Sequence, residues 1–258
     1  MSGVLTRYCE TLRGRSVAVL GAGVSNKPLI ALLLKNGVAV TVRDASGAEK
    51  FPAELLAGWT AQGAKLRLGE GYLEELTEDV IFRSPGVMPH TPQLARAVKV
   101  GSVLTSEMEA FMALCPCPIT AVTGSDGKTT TTTIIAGLLK AAGYKTWLGG
   151  NIGTPLLDKV EEMAAGDKVV LELSSFQLMT MPQSAQVAVV TNVAPNHLDK
   201  HTDMDEYVAA KENVFAHQGV QGKVVLNFDN AITRDFAQKA PGQVVFFSRQ
   251  VGLEDGVC

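Results

Sequence analysis

Short apolar runs alternate with segments of helical spacing along the whole chain. Such runs are typical of buried strands, and strands that alternate with helices pair in parallel sheets that the helices cover. We therefore predict an α/β fold with parallel sheets. The predicted strands lie near 17–20, 38–42, 65–68, 80–82, 103–105, 119–122, 146–148, 169–173, 187–191, 224–227 and 244–247.

A proline-containing segment, 111–118, separates the first five of these strands from the rest. Its prolines can neither continue a helix nor join a central strand ladder. We place a domain boundary near residue 112. This predicts a Rossmann-like domain over 1–111 and a second α/β domain over 112–258.

A glycine loop begins the second domain, in the string T-G-S-D-G-K-T from Thr123. Gly124 and Gly127 allow the backbone to turn N–H groups toward an anion, and the helix predicted at 131–142 adds its positive end. Lys128 would reach the outer phosphates, and Thr129 would bind Mg²⁺. The pattern predicts an ATP site, although an ordinary strand-to-helix turn is the alternative. The predicted ATP-binding residues are Gly124, Ser125, Asp126, Gly127, Lys128, Thr129 and Thr130.

A second glycine turn, Gly21-Ala22-Gly23-Val24-Ser25, follows the first predicted strand. Ser25 or Asn26 can cap the next helix, with Pro28 in its first turn and Gly37 beyond its end. Asn26 stands where the third glycine of the dinucleotide-binding pattern belongs. The turn therefore indicates a nucleotide without selecting NAD, and a tight turn without a ligand remains possible.

Two further strand ends are candidates for the same ligand. Asp44 ends the second strand about 20 residues after the glycines, where a Rossmann fold keeps its ligand-reading acid. The loop Ser84-Pro85-Gly86-Val87 follows the fourth strand. Because ligands bind at the carboxyl ends of parallel strands, we expect both to face one crevice with the glycine turn. A solvated Asp44 is the alternative.

Three ionisable residues of the second half are candidates for chemistry. Glu172 lies at the end of a buried strand, where a carboxylate is costly unless it is paired or bound to a metal. His197 follows the next strand and is either a metal ligand or a surface residue. Lys211 lies on a helix predicted at 204–216, where the pattern alone favours a solvated lysine.

Composition excludes several classes of protein. The 258 residues carry a net charge of −3, which disfavours non-specific nucleic-acid binding. The chain has no apolar signal segment and no run of about 18 apolar residues, so we expect a cytoplasmic protein without a membrane segment. Cys9, Cys115, Cys117 and Cys258 form no C-x-x-C pair, and we predict reduced thiols.

The sequence resembles the Mur ligases, the ATP-dependent amide-bond ligases of peptidoglycan precursor synthesis. The matching segments 123–130, 149–153, 171–177, 192–199 and 209–211 appear in the order and spacing of that family. In the first half, the 21–25, Asp44, 84–86 and 107–109 positions are similar to the member that adds D-glutamate. The resemblance covers essentially the whole chain.

The resemblance implies specific roles. Lys128 and its loop would hold ATP, and Thr129 and Glu172 would hold one Mg²⁺. A second Mg²⁺ would be arranged by Glu172, His197 and a carbamylated Lys211. The residues implied to contact the UDP-sugar substrate are Val24, Ser25, Asp44, Ser84, Gly86, Asn151 and Ser174.

The family's reaction is implied as well. ATP would phosphorylate the carboxylate of UDP-N-acetylmuramoyl-L-alanine, and D-glutamate would attack the acyl phosphate. We expect a monomer, and no third, C-terminal domain of the family in these 258 residues, so this chain alone is expected to be inactive. Alternatives are another Mur ligase, a folylpolyglutamate synthetase or a non-catalytic nucleotide-binding fragment. An NAD oxidoreductase is disfavoured, because the first half offers no acid for hydride transfer.

Overall fold

The computed structural model describes residues 3–254 and 256–257, which form two compact units. The first unit runs to Leu114 and also contains Pro155–Glu162; the rest of the chain forms the second unit. We expected Pro155–Glu162 in the second domain. Instead its buried Leu157 and Val160 place it with the first unit.

The first unit is a parallel sheet with helices between its strands. Its sheet order is β3-β2-β1-β4-β5. The order reverses at β1, so the loops after β1 and β4 lie side by side at the carboxyl edge. The elements are α1 (Val4–Leu12), β1 (Ser16–Leu20), α2 (Asn26–Lys35), β2 (Ala39–Asp44), α3 (Ala53–Ala61), β3 (Lys65–Leu68), β4 (Val80–Arg83), α4 (Pro92–Lys99), β5 (Val103–Thr105) and α5 (Glu107–Leu114).

The second unit contains another parallel sheet, with the order β12-β11-β10-β9-β6-β8-β7 in the described residues. Since β6 lies between β8 and β9, the loops after these three strands meet at one edge. The elements are β6 (Ile119–Thr123), α6 (Lys128–Ala141), β7 (Thr146–Gly150), β8 (Lys168–Glu172), α7 (Ser175–Leu178), β9 (Val187–Val190), α8 (Met204–Glu212), β10 (Lys223–Asn227), α9 (Ala231–Asp235), β11 (Gln243–Phe247) and β12 (Gly256–Val257).

Both sheets are parallel in every pair that the structure describes, which confirms the predicted fold class. Central strands such as β1 and β8 read as continuous apolar runs because they are buried on both faces. Each predicted strand is present.

The structure also differs from the predictions in detail. Helix α6 begins at Lys128, earlier than predicted, α8 ends at Glu212, and the short β12 was not expected. Within residues 3–254 and 256–257, none of the helices combines the length and hydropathy that crossing a bilayer requires. Cys9, Cys115 and Cys117 are free thiols, as predicted, and Cys258 lies outside the described residues.

Candidate functional site

The predicted phosphate loop connects β6 to α6 in the second unit. Gly124 and Gly127 adopt φ angles of 149° and 76°, which favour glycine. A Cβ on Gly124 would also lie only 1.9 Å from the hydroxyl oxygen of Thr191. Because the first N–H groups of a helix have no intrahelical partner, the start of α6 at Lys128 offers donors to an anion. Thr130 lies exposed in this first turn.

The residues that follow β9 form hydrogen bonds with the first half of this loop. The Ser125 N–H donates to the Asn192 carbonyl at 2.9 Å, and the Asp126 N–H donates to Asn192 Oδ1 at 2.9 Å. The Thr191 hydroxyl donates to the Asp126 carbonyl at 2.6 Å. These two loop N–H groups are therefore used within the protein, which leaves phosphate binding to those from Gly127 onward. Thr191 and Asn192 were not among the predicted site residues, although Asn192 begins the 192–199 segment that resembles the Mur ligases.

Two lysine side chains meet at the loop. Lys128 Nζ donates to the Gly124 and Ser125 carbonyls, each at 2.9 Å. Lys211 Nζ donates to the same Gly124 oxygen at 2.8 Å and lies 4.5 Å from the centre of the Tyr207 ring. Two ammonium groups thus share one carbonyl oxygen, an arrangement that attracts anionic ligands.

Lys211 is buried, with 1% of its surface exposed, so the solvated lysine favoured by the pattern alone is wrong. Helix α8 directs this side chain into the interior of the second unit. Because α8 has no clear division into an apolar and a polar face, its sequence does not indicate that Lys211 is buried. Burial, followed by the charge of Lys128, lowers the pKa of Lys211 to about 7, and Asp126 opposes the shift. A substantial neutral fraction of this amine therefore exists near neutral pH.

Glu172 lies at the end of β8, and only 2% of its surface is exposed. Its side chain is hydrogen-bonded to α6 and to the loop after β7. Its Oε2 accepts a hydrogen bond from the Thr129 hydroxyl at 2.6 Å, and its Oε1 accepts one from Asn151 Nδ2 at 2.7 Å. The Asn151 loop approaches this closely because Gly150 has φ +90°, and a Cβ there would lie 2.2 Å from the Glu172 carbonyl oxygen. The structure thus brings Thr129, Asn151 and Glu172 together.

A cavity of about 250 Å³ opens beside Asn151, and its lining also includes Lys128, Ser174, His197 and Lys211. Ser174 also caps α7: its hydroxyl accepts from the Gln177 N–H at 3.2 Å. His197 is exposed, has φ +55° and lies 5.2 Å from the Phe176 ring centroid. The candidate site is therefore a small cavity beside the phosphate loop, with both charged and aromatic side chains in its lining.

Whether this site fits a metal ion depends on the chemistry of Lys211, which lines the cavity, and of Glu172, which is hydrogen-bonded to the lining residue Asn151. In the described part of the chain, no three His, Cys, Asp or Glu side chains form a metal-binding group. The two hydrogen bonds that Glu172 accepts come from uncharged groups, so its buried negative charge can serve a cation. The residues present fit a divalent cation that oxygen atoms of a phosphate complete.

The first unit brings its own predicted residues together at the carboxyl edge. Asp44 Oδ2 accepts the Ala22 N–H at 2.6 Å, and Oδ1 accepts the Ser46 N–H at 2.7 Å. Gly21 has φ +83°, and a Cβ on it would lie 2.6 Å from the Ser84 hydroxyl oxygen. The glycine turn, Asp44 and the loop after β4 are therefore neighbours, as expected. Asp44 is half-buried and accepts hydrogen bonds from two backbone N–H groups, and its contact with a ligand stays a prediction.

The remaining residues at this edge differ in solvent exposure and in the hydrogen bonds that they make. Val24 is 66% exposed, and Gly86 has open space where a Cβ would stand. Ser25 occupies the N-cap position of α2, as predicted, but its side chain makes no capping hydrogen bond; Asn26 Nδ2 donates backward to the Gly21 carbonyl at 2.8 Å. The Asn26 side chain therefore binds the end of β1 and the glycine turn and does not cap α2.

Comparison with known proteins identifies the family. A family model described as the Mur ligase middle domain matches residues 122–255, slightly more than half of the chain. The chain belongs to the Mur ligase family. This confirms the resemblance found in the sequence.

Curated relatives extend the match to the whole chain. A UDP-N-acetylmuramoylalanine–D-glutamate ligase of Acetivibrio thermocellus is 52% identical over 257 residues, 99% of this chain and 55% of the relative. The Ruminiclostridium cellulolyticum protein of the same name is 50% identical over 258 residues, 100% of this chain and 55% of the relative. The chain spans about half the length of the curated relatives it matches.

A solved Mur ligase shares the fold. The crystal structure of UDP-N-acetylmuramate:L-alanyl-gamma-D-glutamyl-meso-diaminopimelate ligase from Neisseria meningitides matches with a TM-score of 0.55 and 17% identity. The alignment covers 94% of this chain and 82% of that one. At this identity the match shows the α/β architecture of the family and nothing about substrates.

Proposed function

We propose that this Mur ligase chain binds ATP and UDP-N-acetylmuramoyl-L-alanine, and that the whole protein joins D-glutamate to that precursor. The name of relatives at about 50% identity supports the choice of substrates. The observation that carries the ATP assignment is the convergence of Lys128, Glu172 and Lys211 around one glycine loop.

The proposed reaction activates a carboxylate. The γ-phosphoryl group of ATP would pass to the carboxylate of the precursor, and attack by the amine of D-glutamate on this acyl phosphate would release phosphate, with ADP as the other product. Lys128 and the N–H groups at the start of α6 would hold the phosphates while their charge shifts, which is most of what phosphoryl transfer requires. The precursor would lie at the glycine turn, Asp44 and the loop after β4.

Thr129 and Glu172 would hold one Mg²⁺, and Glu172 and His197 with Lys211 would arrange a second. When bound, these ions neutralise charge on the phosphates. The hydroxyl and the carboxylate are oxygen ligands of the kind that Mg²⁺ prefers. His197 is exposed and lines the cavity.

Lys211 is proposed to carry a carbamate. Only a neutral amine attacks CO₂, and the lowered pKa of Lys211 supplies one: the nitrogen bonds to the carbon, and a proton leaves to solvent. The product replaces one of two neighbouring cations by an anion. A ¹³C-bicarbonate NMR experiment should show a carbamate signal that Lys211→Ala abolishes; a bare lysine in the presence of bicarbonate and Mg²⁺ would refute this role.

The remaining assignments follow from charge and composition. We propose a cytoplasmic monomer that acts on small molecules and has no nucleic-acid or membrane partner. Its net charge of −3 offers no positive field for a polyanion. Sedimentation of the purified protein would measure the oligomeric state.

Calorimetry tests the proposed function. Lys128→Ala should weaken Mg²⁺-ATP binding at least tenfold, whereas Lys140→Ala, an exposed lysine at the other end of α6, should leave it unchanged. The precursor should bind both variants equally, and UDP-N-acetylmuramate should bind less tightly than its alanyl derivative. Equal ATP affinity in the two variants, or no binding of the precursor, would overturn the assignment.

A further inference from the structure

His201 is a buried residue that the predictions did not include. Its ring lies between α7 and α8 with its residue surface only 3% exposed. His201 Nε2 is 2.9 Å from the Ser175 hydroxyl oxygen, and Nδ1 is 3.3 Å from Glu206 Oε2. Phe176 stacks on the ring at a centroid distance of 5.0 Å, and Tyr207 meets its edge at 5.1 Å. Both ring nitrogens and one face of the imidazole are therefore engaged.

The hydrogen-bond partners assign the tautomer. An ionised Glu206 can only accept, so the proton of the neutral ring lies on Nδ1, and Nε2 accepts from the Ser175 hydroxyl. Burial lowers the pKa of His201; Glu206 raises it, and the charges of Lys211 and His197 lower it further. The neutral ring is thus a bridge that accepts at one nitrogen and donates at the other.

This bridge is connected to the phosphate loop through one helical turn. Glu206 and Tyr207 form the first turn of α8, and Lys211 follows Tyr207 by one turn. The Tyr207 hydroxyl lies 2.9 Å from the Ser125 hydroxyl of the loop, and Lys211 Nζ lies over the Tyr207 ring. A shift at the start of α8 would therefore move the Lys211 amine.

We propose that His201 is a positioning residue whose two hydrogen bonds hold the start of α8 against α7 and so keep the Lys211 amine at the Gly124 carbonyl. Its importance for ligation rests on the proposed function. The placement of Lys211 does not, because it is a property of the protein without ligands.

Amine labelling followed by peptide mass spectrometry tests this placement. In the unliganded protein Lys211 should react slowly with an acylating reagent at fixed pH, because it is buried. His201→Phe keeps the aromatic packing and loses both hydrogen bonds, so labelling of Lys211 should rise about tenfold, as expected for one or two lost net hydrogen bonds. His201→Gln can accept from one side and donate to the other, and should restore the rate to within about twofold.

The controls distinguish a local displacement of Lys211 from a general destabilisation of the second unit. His217→Phe alters an exposed histidine of the same unit and should leave Lys211 labelling unchanged. Labelling of Lys223, exposed at the start of β10, should be equal in all variants. If His201→Phe fails to fold, Ser175→Ala removes one of the two bonds and should give about a threefold rise.

Two results would overturn the proposal. One is unchanged Lys211 labelling in a folded His201→Phe variant, or in Ser175→Ala if the first variant does not fold. The other is labelling of His201→Gln as fast as that of His201→Phe, which would assign the effect to ring packing. Since no ATP is present, a failure here is distinct from a failure of ATP binding in calorimetry.

Discussion

Replacing Lys211 with methionine tests whether burial of this amine costs folding free energy. Methionine has a similar length and no charge, so the variant removes the titrating group and keeps most of the packing. The lysine is 1% exposed and lies close to the positive charge of Lys128. Its protonated form is therefore disfavoured in the folded protein, and the cost depends on pH.

The magnitude follows from the difference between the folded and unfolded pKa values. The pKa of Lys211 falls from 10.5 to about 7 on folding. Between these values the unfolded chain binds more protons, so the free energy of unfolding rises with pH, by up to about 1.36 kcal/mol per pH unit. From pH 7.5 to 9.5 the wild type should gain roughly 2–3 kcal/mol relative to Lys211→Met.

Urea unfolding followed by tryptophan fluorescence measures this difference. Trp147 lies in the second unit, and Trp59→Phe in both proteins removes the signal of the first unit. Buffers must be free of CO₂ so that no carbamate forms. Comparing the two proteins at each pH cancels the titration of groups that do not interact with Lys211.

The result that would refute the reasoning is a difference in unfolding free energy that stays constant between pH 7.5 and 9.5. A difference that moves in the opposite direction would refute it as well. Lys140→Met, which removes an exposed lysine of α6, should show no pH-dependent difference from the wild type. A slope in that control would mean that the measurement reports something other than burial.

Three further substitutions test the glycine loop, the first unit and the cation site. Gly124→Ala should lower the free energy of unfolding in urea by more than about 2 kcal/mol, because φ is +149° and the new Cβ would collide with the Thr191 hydroxyl. Gly137→Ala, on the open face of α6, should instead raise it by about 0.5–1 kcal/mol. Similar effects of the two substitutions would contradict the steric argument. Asp44→Ala removes an acceptor from the glycine turn and should weaken calorimetric binding of the UDP-precursor while ATP affinity is kept; equal losses would argue against a local role. Glu172→Gln keeps an acceptor for its neighbours but loses the charge, so the gain in ATP affinity on adding Mg²⁺ should fall at least tenfold; an unchanged gain would exclude Glu172 as a ligand.

The sequence alone determined the elements and the loops that join them. The glycines and the lysine of the 123–129 string follow an apolar run, so strand, loop and helix were predictable from neighbouring residues. The nearness of Glu172 and Asp44 to the neighbouring loops was predictable for a related reason. Parallel strands carry their carboxyl ends to one edge, so a polar residue at a strand end lies near the loops of the adjacent strands.

Tertiary structure decided which side chains are buried and what they contact. Lys211 looks like a solvated lysine on its helix, yet it is buried against Gly124, far away in sequence. Asn192 accepts a hydrogen bond from the phosphate loop, and His201 connects α7 to α8. The local sequence pattern predicts neither contact. Hydrophobic periodicity reports only the face that a residue occupies within its own element. The partner of a polar group, and hence its charge state, depends on strand order and on the approach of distant loops, which are set only when the sheet assembles.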